Sequence, residues 1–298
     1  MKDLSIGINP ICWSNDDLLE VGGDIPLETC LSEAREAGYV GIELGNKFPR
    51  TPDKLAETLS PYGLNFISGW YSTKLLERSL EAEIEAVQSH LTLLKGMGCK
   101  VMIVAEVTDC VHGDVTKPLS QRPVISENKI KDLAQSLTKF GAYLESQGLK
   151  MAYHHHMGTV IETQQEIETM MDAAGPELGL LLDTGHLTFA GGDPMQIIEK
   201  YGDRITHFHC KDIRADILTA VKNKDSSFLN AVLEGVFTVP GDGCVDFQTA
   251  IEKVVATGYR DWFVVEAEQD PNIAPPLPYV TKGYKHLDAI IEPLRTHH

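Results

Sequence analysis

The feature that most constrains the fold is an eightfold alternation of short apolar runs with amphipathic segments. The apolar runs have the length of buried β-strands, and the segments between them carry helical periodicity or helix start signals. A glycine lies at each of the seven helix-to-strand junctions, where a helix must turn back: Gly38, Gly63, Gly98, Gly148, Gly175, Gly202 and Gly258. Strands that alternate with helices in this way form a parallel sheet.

Eight such units in 298 residues predict a closed (β/α)8 TIM barrel built as one domain, residues 1–298. The alternative is a doubly wound open sheet, but no GxGxxG motif follows the first strand, residues 4–8. Two long segments interrupt the alternation, residues 107–125 after the fourth strand and residues 213–243 after the seventh. Because long segments between such elements are usually functional, we predict that both act as lids over the carboxyl ends of the strands.

Composition narrows the class of partner. A formal net charge of −17 argues against nucleic acid and other polyanions. No apolar stretch approaches the roughly 20 residues of a membrane helix, and the apolar run at the N-terminus is too short for a signal peptide. Six cysteines without a CxxC pair are expected to be reduced thiols. We therefore predict a cytoplasmic protein that acts on a small molecule, and the sequence is compatible with a homo-oligomer.

Four consecutive apolar runs, the fifth to the eighth, end in side chains that bind metal ions. These are His154, His155 and His156 on the fifth run, Asp183 on the sixth, His207 and His209 on the seventh, and Glu266 and Glu268 on the eighth. Each has an ordinary alternative: a hydrogen-bonded core histidine, a capping carboxylate or a solvated strand end. Since the carboxyl ends of parallel strands meet at one end of a barrel, their recurrence on four consecutive strands predicts one metal site there.

The type of ligand indicates the type of metal. Imidazole and carboxylate groups without a thiolate favour Mn²⁺, Co²⁺, Zn²⁺ or Fe²⁺ over a closed structural zinc site. An ion with open coordination positions polarises a bound ketone as a Lewis acid. These observations predict a metal-dependent enzyme that acts on a hydroxy ketone.

Several motifs carry a resemblance to known proteins. The motifs Gly-Ile-Glu43-Leu-Gly, Leu-Leu-Leu-Asp183-Thr-Gly-His186, His-Phe-His209-Cys-Lys211-Asp212 and Val-Glu266-Ala-Glu268 resemble those of the xylose-isomerase-like barrel superfamily of sugar isomerases, epimerases and AP endonucleases. Within it, Gly-Ile-Asn9-Pro10-Ile-Cys-Trp13-Ser-Asn-Asp and Tyr-His154-His-His156-Met-Gly158-Thr159 are similar to the inosose dehydratase (2-keto-myo-inositol dehydratase) family of inositol catabolism. The similarity extends over essentially the whole chain.

The resemblance implies one metal ligand from each of strands five to eight: His154, Asp183, His209 and Glu266. Many relatives have glutamate where this chain has His154, so His156 is an alternative ligand on the fifth strand. The family's reaction removes water from 2-keto-myo-inositol (scyllo-inosose), a cyclic polyol ketone. The resemblance also implies Mn²⁺ or Co²⁺ together with glutathione, although no sequence motif marks a glutathione site.

Such a dehydration needs a base for the proton α to the ketone and an acid for the departing β-hydroxyl. The candidates are Glu43, His186, Lys211 and Glu268. Glu43 is alternatively a structural carboxylate, and Lys211 either forms a salt bridge with Asp212 or has a pKa lowered by the nearby ion. Asn9 and His156 are expected to contact the substrate, and Trp13 and Trp70 either form an apolar wall against its ring or pack in the core.

Three other functions compete with dehydration. A metal-dependent sugar-ketone isomerase or epimerase of the same superfamily needs the same metal chemistry and differs only in the acid that faces the β-hydroxyl. An AP endonuclease needs a trinuclear zinc site and a basic groove, against which the net charge argues. A sugar-binding barrel without catalysis is the third alternative.

Overall fold

A computed structural model describes residues 4–295. Its strands are β1 Ser5–Ile8, β2 Gly41–Ile42, β3 Asn65–Phe66, β4 Trp70–Thr73, β5 Val101–Glu106, β6 Lys150–His154, β7 Leu180–Asp183, β8 Ile205–Cys210, β9 Asp212–Ile213, β10 Phe237–Thr238 and β11 Trp262–Val265. Nine of them form one sheet in the order β3-β2-β1-β11-β8-β7-β6-β5-β4, and all of its pairs are parallel.

The sheet closes on itself through a bend. The sequence predicts one third strand over residues 64–70, but the edge strands β3 and β4, on either side of the bend, take its place, and β3 pairs with β2 while β4 pairs with β5. Ser68 lies between these two strands: its carbonyl accepts from Leu44 N at 3.0 Å, and its hydroxyl donates to Val101 O at 2.9 Å. Nine strand segments therefore make an eight-stranded barrel, and the predicted (β/α)8 fold is confirmed.

Helices surround the barrel. They are α1 Leu27–Ala37, α2 Pro52–Leu59, α3 Leu80–Ala86, α4 Gln88–Gly96, α5 Glu127–Ser146, α6 Gln164–Ala173, α7 Thr184–Phe189, α8 Pro194–Tyr201, α9 Ala215–Asn223, α10 Phe228–Leu233, α11 Phe247–Ala256 and α12 Pro276–Ile291. The predicted apolar face of α5 is buried, with Ile130, Leu133, Leu137, Phe140 and Leu144 against the sheet side. No helix within residues 4–295 is long and apolar enough to cross a membrane.

Some predicted boundaries are wrong. Apolar residues at helical spacing from Leu80 to Leu94 predict one long helix that closes at Gly98, but the helix is interrupted at Val87, whose ψ of −11° departs from helical geometry. The sequence also predicts a last helix around residues 284–294, whereas α12 starts earlier, at Pro276, because proline is compatible with a first helical turn. Five of the seven junction glycines have positive φ, but Gly175 and Gly202 do not: Ala174 ends α6 in an extended conformation, and Gly202, at φ −58°, continues into a 3-10 turn.

The two long segments differ in kind. Residues 107–125 are irregular apart from a short 3-10 helix, Leu119–Gln121. Residues 213–243 contain α9, α10 and the antiparallel pair β9–β10, which the sequence did not predict. The tips of the two segments touch, since Leu119 N donates to Ser226 O at 3.2 Å and Ser120 Oγ donates to Asp225 Oδ2 at 2.5 Å.

Candidate active site

A cavity of about 350 Å³ opens at the carboxyl ends of the barrel strands. The predicted site residues that line it are Asn9, Glu43, Trp70, His154, His156, His209, Glu266 and Glu268. Asp183, His186 and Lys211 are buried directly behind this lining, within contact distance of it. Strands from both halves of the barrel thus bring distant parts of the sequence to one place, as the fold predicts.

Four side chains form a compact cluster with the composition of a metal site: His154, Asp183, His209 and Glu266. Oδ2 of Asp183 lies 3.7 Å from Nε2 of His154 and 3.6 Å from Nδ1 of His209. Nδ1 of His209 lies 3.0 Å from Oε2 of Glu266. Ligands about 2.0–2.3 Å from a shared ion are separated by distances of this size, so the spacing fits one divalent cation.

Hydrogen bonding in the cluster also fits a cation. Among residues 4–295, Oδ2 of Asp183 is buried without a hydrogen-bond partner, and the 3.0 Å contact between His209 Nδ1 and Glu266 lacks hydrogen-bond geometry. Buried polar atoms are rarely left this way. Nδ1 of His154 donates to His155 O at 2.5 Å, which leaves Nε2 deprotonated and facing Asp183. That is how a metal-binding histidine is commonly oriented.

The fifth strand offers both His154 and His156, and the structure separates them. His154 belongs to the four-residue cluster, whereas His156 lies with His186 and Glu268 in a second group. Burial, followed by the charges of His112 and His154, lowers the pKa of His156 well below its usual value. The geometry therefore favours His154 as the ligand and leaves His156 as a neutral imidazole in the cavity wall.

Glu43 is held by three neighbours and orients the cluster. Its Oε1 lies 2.6 Å from Nε2 of His207 and 3.2 Å from Nε2 of His209, and its Oε2 accepts from Asn9 Nδ2 at 2.8 Å. Burial alone would raise the pKa of Glu43, but His209 and His207 outweigh burial and hold the pKa at about 2. A carboxylate so engaged is a weak base. Its geometry is that of a carboxylate that positions a metal-binding histidine.

Asn9 links the same groups, because its Nδ2 also donates to Glu266 Oε2 at 3.0 Å. Burial disfavours a charged His209, yet the carboxylates of Glu266 and Glu43 outweigh burial and raise the pKa of His209 well above its usual value. The carboxylates of the cluster thus attract positive charge strongly.

Lys211 is fully buried near three carboxylates: it pairs closely with two, and its Nζ lies 3.8 Å from Oδ2 of the third, Asp183. Its Nζ lies 2.6 Å from Oε1 of Glu266 and 2.6 Å from Oε1 of Glu268. Burial would lower the pKa of Lys211, but these carboxylates outweigh burial and raise it above the usual value. The lowering expected beside a bound ion stays a prediction. The predicted pairing with Asp212 is wrong, because the Asp212 carboxylate accepts from the backbone N–H groups of residues 213, 241, 243 and 245.

Gly185 explains how the lysine stem reaches this position. A Cβ atom at residue 185 would lie 2.5 Å from Cγ of Lys211, so a larger residue in the Asp-Thr-Gly-His turn would displace the lysine. Thr184 Oγ1 donates to Lys211 O at 2.7 Å and fixes the backbone beside it.

The pKa of Glu268 is shifted in the opposite direction from that of Glu266. Burial raises its pKa to about 7, with Glu266 adding to that effect and Lys211 opposing it. A carboxyl group that lines the cavity and titrates near neutrality can both accept and donate a proton. Among the predicted proton-transfer candidates, Glu268 is the one whose environment suits the role.

His186 lies behind His156, farther from the cavity. Its ring centroid is 3.9 Å from that of His156, and the ring of Phe228 stacks on it at 5.6 Å while also contacting His156 at 5.1 Å. Burial, then the charges of His156 and Lys211, lowers its pKa well below the usual value. This neutral imidazole supports His156 and Lys211 and is not part of the cavity lining.

The two tryptophans have different positions. Trp70 lines the cavity, with its ring centroid 5.3 Å from His154 and 5.4 Å from His156. Trp13 is outside the lining: it is 1% exposed, and its Nε1 donates to Glu33 Oε2 of α1 at 2.6 Å. The predicted contact between Trp13 and the substrate is therefore wrong, and the core-packing alternative holds.

Besides Ser72 on β4, sequence reasoning missed five polar residues of the lining: Asp16, Asp17, Asn46, Arg50 and His112. All five lie in segments that follow strands, which is the signal that could have identified them. His112 belongs to the segment 107–125, and its ring lies 4.8 Å from that of His156. In the segment 213–243, Phe228 and Phe237 lie against His186. Both segments therefore enclose the site, although their opening and closing stay a prediction.

Comparison with known proteins agrees with the geometry. Residues 31–290 match the family described as xylose isomerase-like TIM barrel. The rhizopine catabolism protein MocC of Rhizobium meliloti is 47% identical over 96% of this chain and 88% of its own length. The inosose dehydratase of Geobacillus thermodenitrificans is 43% identical over 95% of this chain and 96% of its own length.

A solved structure gives the same fold. The IolI protein, whose structure contains a bound zinc atom, has a TM-score of 0.69 at 17% identity and covers 97% of this chain and 98% of its own. The resemblance to inosose dehydratases and to their barrel superfamily is confirmed, and carbon–oxygen lyase, the predicted enzyme class, is the class of those dehydratase relatives. The chain belongs to the xylose isomerase-like TIM barrel family.

Proposed function

We propose that the chain is a metal-dependent dehydratase that removes water from 2-keto-myo-inositol. The observation that carries this proposal is the cluster of His154, Asp183, His209 and Glu266 at the mouth of the barrel. The 43% identity to inosose dehydratases over 95% of the chain supports the choice of substrate.

In this proposal the four clustered residues hold Mn²⁺ or Co²⁺, with Zn²⁺ or Fe²⁺ as alternatives. An ion bound there supplies Lewis acidity toward the ketone oxygen of the substrate. The cavity volume of about 350 Å³ is within the usual range for small-ligand sites. Asn9 and Glu43 position the ligands rather than the substrate, because Asn9 Nδ2 and the Glu43 carboxylate are engaged within the cluster and Asn9 Oδ1 accepts from Ile11 N.

The protein's own residues would perform the proton transfers. Glu268 takes the proton α to the ketone, which its nearly neutral pKa permits. It then returns a proton to the departing β-hydroxyl, so that one water leaves and a carbon–carbon double bond forms. Lys211 holds Glu268 in place at 2.6 Å. Trp70 and His156 form the wall against which the substrate ring packs.

The test is product analysis. The purified protein with Mn²⁺ should convert 2-keto-myo-inositol to a product lighter by one water, and with deuterated solvent the product or recovered substrate should carry deuterium. An inosose returned isomerised at unchanged mass would instead identify a sugar-ketone isomerase or epimerase. Assays with and without glutathione test the cofactor that the resemblance implies.

A second candidate comes from the relative at 47% identity, which is named for rhizopine catabolism. The same assay with rhizopine as substrate distinguishes the two. Preferential turnover of rhizopine over 2-keto-myo-inositol would make rhizopine the proposed substrate and would leave the proposed metal site unchanged.

A further inference from the structure

Lys211 uses its full hydrogen-bonding capacity. Its side chain is 0% exposed, and Nζ lies 2.6 Å from Oε1 of Glu266, 2.6 Å from Oε1 of Glu268 and 2.9 Å from Nε2 of His186. An ammonium group has three N–H donors, so these partners use all three when His186 is in the tautomer that accepts at Nε2. The ring of Phe237 lies 4.7 Å from Nζ and adds a cation–π contact.

The partners of this ammonium are themselves suited to a metal ion. His156, His186 and Glu268 form a buried group with the composition of a metal site, and Nζ of Lys211 touches two of its three members. Nε2 of His186 and Oε1 of Glu268 are 3.7 Å apart, a separation that one shared divalent cation would produce.

Glu266 connects this group with the four-residue cluster. Its Oε2 lies 3.0 Å from Nδ1 of His209, while its Oε1 lies 2.6 Å from Lys211 Nζ. A single carboxylate thus faces two cation positions. In enzymes with two metal ions about 3.5–4 Å apart, neighbouring positions of this kind are both filled by ions.

We infer that the Lys211 ammonium occupies the second cation position of a two-cation site, so that the barrel mouth holds one divalent ion instead of two. This inference rests on the metal site proposed above. Lys211 then serves as a positioning residue: it neutralises Glu266 and Glu268 and excludes a second ion. Without the ammonium, Oε1 of Glu266 and Oε1 of Glu268 would lose their cationic partner, and a divalent ion could replace it.

The test is the number of ions bound per chain. Wild-type protein and Lys211→Ala are equilibrated with excess Mn²⁺, and bound manganese is counted by mass spectrometry after dialysis. We expect one ion in the wild type and two in Lys211→Ala, whose paramagnetic resonance spectrum should show exchange coupling. Adding Glu268→Gln to Lys211→Ala should return the count to one, because a ligand of the second position is lost.

Lys222→Ala is the matched control, since Lys222 also lies over a phenylalanine, 5.9 Å from the ring of Phe189, and is outside the lining of the barrel-mouth cavity. It should bind one ion. Two ions in the wild type, or one in folded Lys211→Ala, would overturn the inference. No ion in the wild type would overturn the metal proposal instead. If Lys211→Ala does not fold, Lys211→Ser is counted in the same way.

Discussion

Two neighbouring groups at the barrel mouth have similar ligands but differ in how their charge is balanced. Within the part of the chain that the structure describes, the cluster of His154, Asp183, His209 and Glu266 keeps buried polar atoms without hydrogen-bond partners. The group around Lys211 has its own cation within 2.9 Å of three partners. The comparison indicates that the first group is built for an ion from solution and that the second is completed by the chain itself.

The largest expected effect comes from Asp183→Asn in the first group. Asparagine can still accept from His186 N, as Asp183 Oδ1 does at 2.8 Å, so the cap of α7 is preserved while a charged ligand is lost. We expect bound metal to disappear and kcat/KM to fall on the order of 10³-fold or more, since a Lewis acid contributes several kcal/mol. Metal analysis and turnover measure this.

Asp193→Asn is the control for that change. Asp193 caps α8 through Met195 N at 2.8 Å, away from the cavity. The Asp193→Asn variant should retain bound metal and activity. Full metal content in Asp183→Asn after dialysis would show that the first group is not the metal site.

Glu268→Gln changes the second group instead of the first. It removes proton transfer by Glu268 and leaves the four residues of the first group intact. Activity should fall by roughly 10² to 10⁴-fold, the usual contribution of a general acid or base. The count of bound ions should stay as in the wild type. Loss of the ion together with activity would place Glu268 among the metal ligands.

Glu43→Gln should have a smaller effect, on affinity for the ion. The amide keeps the shape of the side chain but weakens the hydrogen bond to His209. Loss of such an orienting carboxylate typically lowers metal affinity by about 10 to 100-fold. Titration with Mn²⁺ measures the affinity for the ion. Glu106→Gln is the control, because Glu106 is another buried strand-end carboxylate but accepts from Leu75 N, outside the cluster.

The smallest effect on catalysis is expected for Trp13→Phe. The indole donates to Glu33 and lies outside the cavity lining, so KM for the ketone should not change. Loss of a hydrogen bond to a charged group should lower the free energy of unfolding by about 1.5–3 kcal/mol. Urea denaturation measures the stability, and steady-state kinetics measure KM. A raised KM at unchanged stability would show that Trp13 contacts the substrate.

Sequence alone predicted what depends on local pattern. The alternation of strands and helices gave the barrel, and strand-end residues such as Asp183 and Glu266 identified the site. The bend at residues 67–69 was missed because it depends on Ser68 bonding across the sheet. Folded structure in residues 213–243 was missed because its apolar residues follow no long period.

Pairing between residues distant in sequence could not be predicted from the sequence either. Lys211 neighbours Asp212 in sequence, but the register of the strands directs it to Glu266 and Glu268. The same applies to Glu43, whose partners His207 and His209 lie on a strand far along the chain. Such contacts decide whether a carboxylate is a base or a positioning group, and sequence spacing does not contain them.

The most direct measurement of the central claim is anomalous diffraction from crystals grown with Mn²⁺. The account predicts a single strong peak enclosed by His154, Asp183, His209 and Glu266, with the Lys211 ammonium still between Glu266 and Glu268. A peak among His156, His186 and Glu268, or the lack of any peak in the barrel mouth, would contradict it.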